Sequence, residues 1–418
     1  MLKGIYNFSA KTYEIINKAE EAVKEKFAEI ERVCLYNQAK VMKAFSENHI
    51  GAAHLNGTTG YGYDDMGRDA LDRVYADVFE AEDALVRYTM ISGTHAISTA
   101  LFAVLRPGDT LLAVTGKPYD TFDGVIGLDG NENGSLINFG VKYEQVDLID
   151  GHADIPSIKA FLSKEKVKMV HIQRSRGYEW NHDIGLLEIR EIIEAVKSVS
   201  PETICFVDNC YGEFVSEHEP TYYGADLMAG SLIKNPGGGI AKMGGYVAGR
   251  HDLVELCGYR LTTPATGREA GASLDELRYM YQGFFLAPHV VSQAMKASLL
   301  CAAAMDILGY ETSPAPLDAR TDIVQAIMFN NPEKLVKFCQ GIQKGAPIDS
   351  FATPVPSDMP GYADQVIMAA GAFVQGSSIE FSADGPMREP YIAYIQGGLT
   401  YESAKIGIMH AVDRLTEK

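Results

Sequence analysis

Residues 206–249 constrain this chain more than any other stretch: FVDNCYGEF, then, after a short interval, ADLMAGSLIKNPGGGIAKMGGYVAG. The first segment ends an apolar, β-branched run, Thr203-Ile204-Cys205-Phe206-Val207, on a carboxylate, Asp208. The second runs to Ser231-Leu232-Ile233-Lys234 and breaks into Asn235-Pro236-Gly237-Gly238-Gly239. Two adjacent strands of a parallel sheet would bring that acid and that amine to one rim. Open α/β sheets place ligands at this rim, outside the carboxyl ends of their strands. An amine placed to form an imine, with an acid placed to keep a ring nitrogen protonated, is what pyridoxal 5'-phosphate (PLP) requires.

The remainder of the chain is consistent with such a sheet. Its 418 residues predict two domains. A hydrophobic fraction of 46% and a charged fraction of 22% describe a soluble globular protein. A formal net charge of −18 argues against a nucleic-acid or anionic-membrane partner. Cys34, Cys205, Cys210, Cys257, Cys301 and Cys339 form no CxxC pair, which points to reduced thiols. The N-terminal residues lack the apolar core of a signal peptide, and no run is read as reaching transmembrane length. The expected location is cytoplasmic.

In chain order, residues 9–47 have a helical pattern, an N-terminal arm within residues 1–50. The glycine- and tyrosine-rich loop 57–68 feeds a helix over 69–79, and strand 84–88 leads into Ser92-Gly93-Thr94-His95. That turn opens a helix to about Leu105, presenting free N–H groups and a positive dipole end suited to phosphate, although plain helix caps look the same. Strands at 110–114, 141–148, 167–173 and 203–207 alternate with helices at 156–162 and 185–199, the signature of a doubly wound parallel sheet. A large domain over 51–285 is followed by a linking apolar helix near 282–308 and a small domain within 286–418. Pro314-Ala315-Pro316 marks its boundary, and it mixes strands at 323–328, 365–373 and 391–395 with helices at 332–343 and 400–415.

Other motif readings fail on spacing. Gly116-Lys117-Pro118-Tyr119 is not a P-loop, because Pro118 follows the lysine and Leu111 stands where the upstream glycine is required. Ser231-x-x-Lys234 fits the SxxK pair of serine hydrolases, yet the companion SDN and KTG motifs are absent. The glycines at 237–239 do not form the GxGxxG of nicotinamide folds. Glu217-His218-Glu219 lacks a second ligand cluster and reads as a solvated turn. No metal site is expected.

The segments GYGYDDMGRDALDRVYADVFEAE, ISGTHAISTALFAVLRPGDTLL, HIQRSRGYEW, CFVDNCYGEF and SLIKNPGGGIAKMGGYVAG, with QGGLTYESAKIG near the C-terminus, carry a resemblance over most of the chain. Their order resembles the fold-type I PLP enzymes of the cysteine and methionine metabolism group, most closely the methionine γ-lyase-like or aluminium resistance branch. The resemblance implies a large domain with a mostly parallel seven-stranded sheet and a smaller C-terminal α+β domain. It also implies a carbon–sulfur lyase that takes a sulfur-containing amino acid and releases thiol, ammonia and a 2-oxo acid.

Residue by residue, the resemblance makes Lys234 the lysine that carries PLP as an imine and Asp208 the partner of its ring nitrogen. Ser231, with Ser92, Gly93 and Thr94, is assigned to the phosphate. Tyr119 would stack on the ring and protonate the leaving sulfur. Tyr61, with Arg68, belongs to a loop that reaches the neighbouring subunit's cofactor, which implies a homodimer or homotetramer with shared sites. Arg388 would hold the substrate carboxylate. Three positions depart from the family pattern: Tyr63 in place of arginine, Ile233 in place of a hydroxyl, and Thr121 where methionine-selective members carry cysteine. Arg174 and Arg176 replace a proline- and asparagine-containing turn. A different PLP reaction on the same scaffold (side-chain transfer, transamination or aldol cleavage) and a non-catalytic protein linked to metal tolerance stay open.

Overall fold

A computed structural model describes residues 4–128, 130, 133–180, 184–359, 362 and 364–417. The chain forms two units, one over Tyr36–Ala287 and one joining the residues up to Leu35 to those from Pro288 onward. The expected N-terminal arm is therefore divided. Helix α1 (Ala10–Glu47) places Ile15, Ile16, Ala19 and Val23 in the core of the second unit, while its last turns belong to the first.

The first unit continues through α2 (Met66–Val78), β1 (Asp83–Arg87), α3 (Gly93–Val104), β2 (Thr110–Ala113), the single turn α4 (Asp123–Ile126) and β3 (Lys142–Gln145). A small hairpin, β4 (Leu148–Ile149) and β5 (His152–Ala153), precedes α5 (Ile155–Leu162), β6 (Met169–Gln173) and α6 (Leu186–Val199). Then come β7 (Ile204–Asp208), β8 (Leu227–Ser231), β9 (Gly245–Gly249), α7 (His251–Leu261) and the start of α8 (Leu277–Ile307). The seven strands run β1-β9-β8-β7-β6-β2-β3, with β9 antiparallel to both neighbours and the other strand pairs parallel. This is the mostly parallel seven-stranded sheet the resemblance implies.

Strands β6 to β9 are buried at every residue, so none of them shows the alternation of a half-exposed strand. Phe206, Met169, Leu111 and Leu227 pack with Phe122, Ile97 and Leu101 in one core. Among the strands outside the sequence reading, two look least like strands. The glycine-flanked β9 looks like loop, and so does β13 (Ser382–Pro386), whose sequence is SADGP. Both acquire strand geometry from partners on each side, a tertiary effect that local propensity does not carry. The strand expected over 141–148 stops at Gln145, and the hairpin follows.

In the second unit β10 (Glu311–Ser313), β11 (Gln325–Met328), β12 (Val366–Ala370), β13 and β14 (Ile392–Gln396) form an antiparallel sheet ordered β10-β11-β14-β13-β12. Helices α9 (Pro332–Lys344) and α10 (Tyr401–Thr416) approach closely at Gly341, where an added Cβ would strike the Ala411 backbone. This is the small α+β domain. One correction concerns α8, which is long and apolar enough by length and composition to cross a membrane. Its most apolar window is 78% buried within the protein, as in the core helix of a globular fold.

Candidate active site

Strand β7 ends on Asp208, which is buried and accepts a hydrogen bond at Oδ1 from the Cys210 amide, 3.1 Å away. The chain then turns sharply, with Tyr211 (φ 73°) and Phe214 (φ 63°) in the left-handed region that non-glycine residues seldom enter. Tertiary bonds hold this turn. Asn235 donates from Nδ2 to the carbonyls of Tyr211 and Glu213, both at 2.9 Å. The buried Arg174 lies against Gly212, where a Cβ would collide with its guanidinium, and donates from Nη1 to Asn209 Oδ1 at 2.7 Å.

The neighbouring strand, β8, ends on Ser231, fully buried, whose Oγ accepts from the Ile233 amide at 3.3 Å. Lys234 follows, half-buried, with Nζ 3.8 Å from the centroid of the Tyr211 ring. Helix α3 is capped by Ser92, whose Oγ accepts from the His95 amide at 3.1 Å. The Gly93 and Thr94 amides precede the first intrahelical bond and so lack helical acceptors. A Cβ on Gly93 would stand 3.2 Å from Cys210 Sγ and 3.2 Å from Ser231 Cβ, so this helix start is pressed onto the ends of β7 and β8.

Tyr119 completes the group. Its amide donates to Gln173 Oε1 at 2.9 Å, its ring leans on Phe122, and its hydroxyl lies 2.9 Å from Thr94 Oγ1. Ser92, Gly93, Thr94, Tyr119, Asp208, Ser231 and Lys234 thus gather around one rim of the sheet. The other candidates make contacts of their own. Tyr61 is 76% exposed and stacked on Tyr63 at 5.5 Å. Arg68 is buried, and its guanidinium holds its own loop through Gly62 O (2.7 Å), Gly271 O (3.0 Å) and the Asp69 carboxylate (2.8 Å). Arg388 belongs to the second unit, where it is exposed and paired with Asp364 at 3.4 Å.

Burial, and after it the Asp208 carboxylate, hold the Tyr119 phenol above the ordinary tyrosine range, so it is protonated at neutral pH. Burial disfavours the Lys234 ammonium, but the surrounding acidic groups of Cys210, Tyr211, Asp208 and Tyr119 outweigh it and raise the amine above its usual range. Burial lowers His171, beneath the site on β6, to about 4, with Asp208 opposing. Burial lifts Glu213 to about 8; its Oε1 accepts from Tyr246 OH at 2.9 Å.

Sequence reasoning passes over Cys210, Tyr211, Gln173, Asn235 and Glu213. The proximity of Tyr211 to Asp208 in sequence is a signal, but its contact with Lys234 depends on a left-handed turn. The Glu217-His218-Glu219 stretch is not the solvated turn expected. Glu219 is buried and accepts from the Phe214 amide at 2.8 Å and from Asn209 Nδ2 at 2.9 Å. No cluster of metal-ligating side chains occurs among the described residues.

Residues 12–416 match the family described as methionine gamma-lyase. The chain belongs to that family. It is 53% identical over 392 residues to the uncharacterized protein YnbB of Bacillus subtilis (strain 168), covering 93% of each chain. A solved structure from Clostridium novyi NT, described as a carbon-sulfur lyase involved in aluminum resistance, is 50% identical. It superposes with a TM-score of 0.96 over 99% of this chain and 98% of that one. One from Clostridium acetobutylicum, provisionally described as a cystathionine beta-lyase involved in aluminum resistance, is 48% identical with a TM-score of 0.96, covering 100% and 98%. The PLP-dependent protein YhfS of Escherichia coli, at 16% identity and a TM-score of 0.61, shares the fold alone. Family and fold together imply PLP as the cofactor.

The residues at the rim fit that group. An amine, a buried acid, a helix start with free amides beside a serine, and an aromatic hydroxyl converge where a Cβ on Gly93 would crowd Cys210 and Ser231. Lys234 would hold the aldehyde carbon, Asp208 the ring nitrogen, and Gly93, Thr94 and Ser231 the phosphate.

Proposed function

We propose that the chain is a PLP-dependent carbon–sulfur lyase that acts on a sulfur-containing amino acid and releases thiol, ammonia and a 2-oxo acid. The observation carrying this reading is the hydrogen bond between Tyr119 OH and Thr94 Oγ1, which fixes a protonated phenol over the rim that also holds Asp208 and Lys234. Bound PLP supplies an electron sink for negative charge developing at the substrate Cα. The Lys234 amine would take the Cα proton of the substrate and could return it. Tyr119 gives its proton to the departing sulfur, and the raised phenol keeps that proton available through the neutral range. Asp208 maintains the charge that the ring nitrogen needs. The start of α3 and Ser231 would hold the phosphate end of the cofactor.

The description of the Clostridium acetobutylicum relative favours a cystathionine-type substrate over methionine, and Thr121 in place of cysteine agrees with it. The test is an absorbance spectrum of wild type and Lys234→Ala with PLP, followed by cystathionine, cysteine and methionine in turn. A band near roughly 420 nm in wild type that is lost in the variant, with thiol and 2-oxo acid formed together, is expected. A 2-oxo acid without thiol would replace elimination by transamination. No band after PLP is supplied would remove the catalytic reading.

A further inference from the structure

The loop after Asp208 carries a residue that the proposed chemistry does not yet use. Tyr211 has φ 73°, a conformation that tyrosine adopts only when its surroundings impose it, and such outliers concentrate at functional sites. Here the constraint is visible. Asn235, the residue directly after Lys234, binds the Tyr211 carbonyl at 2.9 Å, so the lysine loop holds the tyrosine loop in place. The result of this turn is that the Tyr211 ring presents its face to Lys234 Nζ, 3.8 Å from the centroid. That distance is well inside the reach of a cation–π contact, which strengthens where water is excluded.

We propose that Tyr211 is a positioning residue for Lys234: its ring face holds the amine aimed at the reacting rim once it has taken up the Cα proton and become an ammonium. The proposal deepens the reading of Lys234 as the imine-forming lysine and rests on it. An ammonium parked on a ring face is ready to return a proton to the substrate and is kept from wandering into solvent. The groups that act on Lys234 from the surrounding segments are Asp208, Cys210, Tyr211 and Glu213 on the β7 loop and Tyr119 beyond β2. Of these, Tyr211 alone offers an aromatic face in cation–π contact with Nζ among the described residues.

The experiment measures the amine itself. Full-length protein stripped of cofactor is acetylated competitively with acetic anhydride across a pH series, and the labelling of Lys234 is read by mass spectrometry. Wild type is compared with Tyr211→Phe, which keeps the face, and Tyr211→Leu, which removes it. Tyr211→Gly removes the ring and relieves the left-handed backbone, so it carries the test if the leucine variant does not fold. The expected result is coincident titration of wild type and Tyr211→Phe, with Lys234 titrating about one pH unit lower in the leucine and glycine variants. Coincident curves for all variants would overturn the proposal, and so would a phenylalanine variant shifted like leucine, which would assign the effect to the phenol hydroxyl. Because acetylation needs no PLP, these outcomes are separate from the wild-type absorbance test, whose failure would remove the catalytic reading itself.

Discussion

At the scale of single residues, burial keeps protons on groups at the rim of the sheet. Tyr119 is the clearest case. Its ring is set by Phe122, its amide by Gln173, and its hydroxyl by Thr94, leaving one orientation for the phenol. Because burial raises the phenol, the proton stays on the oxygen through neutral pH. Tyr119→Phe keeps the ring contacts and removes only the proton. Turnover is expected to fall by about 10²-fold, with PLP absorbance retained, as measured by steady-state thiol release. Unchanged turnover would assign leaving-group protonation to water. Asp208 and Lys234 are legible in the sequence because a strand that stops on a charge, followed by glycines, is unusual. Tyr211 is not legible, since only the positive φ brings its face to the amine.

At the scale of elements, the decisive contact is between the start of α3 and the ends of β7 and β8. The sequence marks a Ser-Gly-Thr turn opening a helix, a pattern shared by phosphate cradles and ordinary caps. Ser92 does cap, as its bond to the His95 amide shows. Gly93 lies where a Cβ would sit 3.2 Å from both Cys210 Sγ and Ser231 Cβ, so the helix start is pressed onto the strand ends. Gly93→Ala is expected to push α3 off the strand ends by a few tenths of an ångström and weaken PLP binding by about tenfold. Fold stability should change by about 1 kcal/mol or less, because helix propensity gains from alanine what packing loses. Spectrophotometric PLP titration and thermal melting separate the two. An unaltered PLP affinity would remove α3 from the phosphate site. Strands β9 and β13 teach the converse point: SADGP and a glycine-flanked segment become strands only because neighbours on both sides supply hydrogen bonds.

At the scale of the whole molecule, two buried groups near the site set opposite limits on stability. His171 is held down to about 4 from an ordinary 6.5, so the unfolded chain binds its proton first, and stability falls as pH drops below about 6.5. Glu213 is held up to about 8 from an ordinary 4.5, so the folded chain keeps a proton the unfolded chain has released. Stability therefore falls as pH rises from about 4.5 toward 8. The contribution is on the order of 3 kcal/mol for His171 and on the order of 5 kcal/mol for Glu213 across their windows. Melting temperatures of His171→Phe should flatten below pH 6.5, and those of Glu213→Gln should flatten between 4.5 and 8. Curves parallel to wild type would show that neither group titrates differently on folding.

The sequence alone determined the alternation of strands and helices, the acid and amine at one rim, and the family. All of these rest on local patterns: apolar runs of strand length, turn residues, and charges where a buried strand ends. Tertiary structure decided the rest. It joined the first part of α1 to the second unit through Ile15, Ile16, Ala19 and Val23, and committed Arg68 to its own loop's carbonyls. It buried Glu219 under Asn209 and Phe214 and turned the Tyr211 face toward Lys234. Each of these depends on which groups distant in sequence compete for the same hydrogen bonds and the same buried volume, and that competition is settled only when the chain is packed.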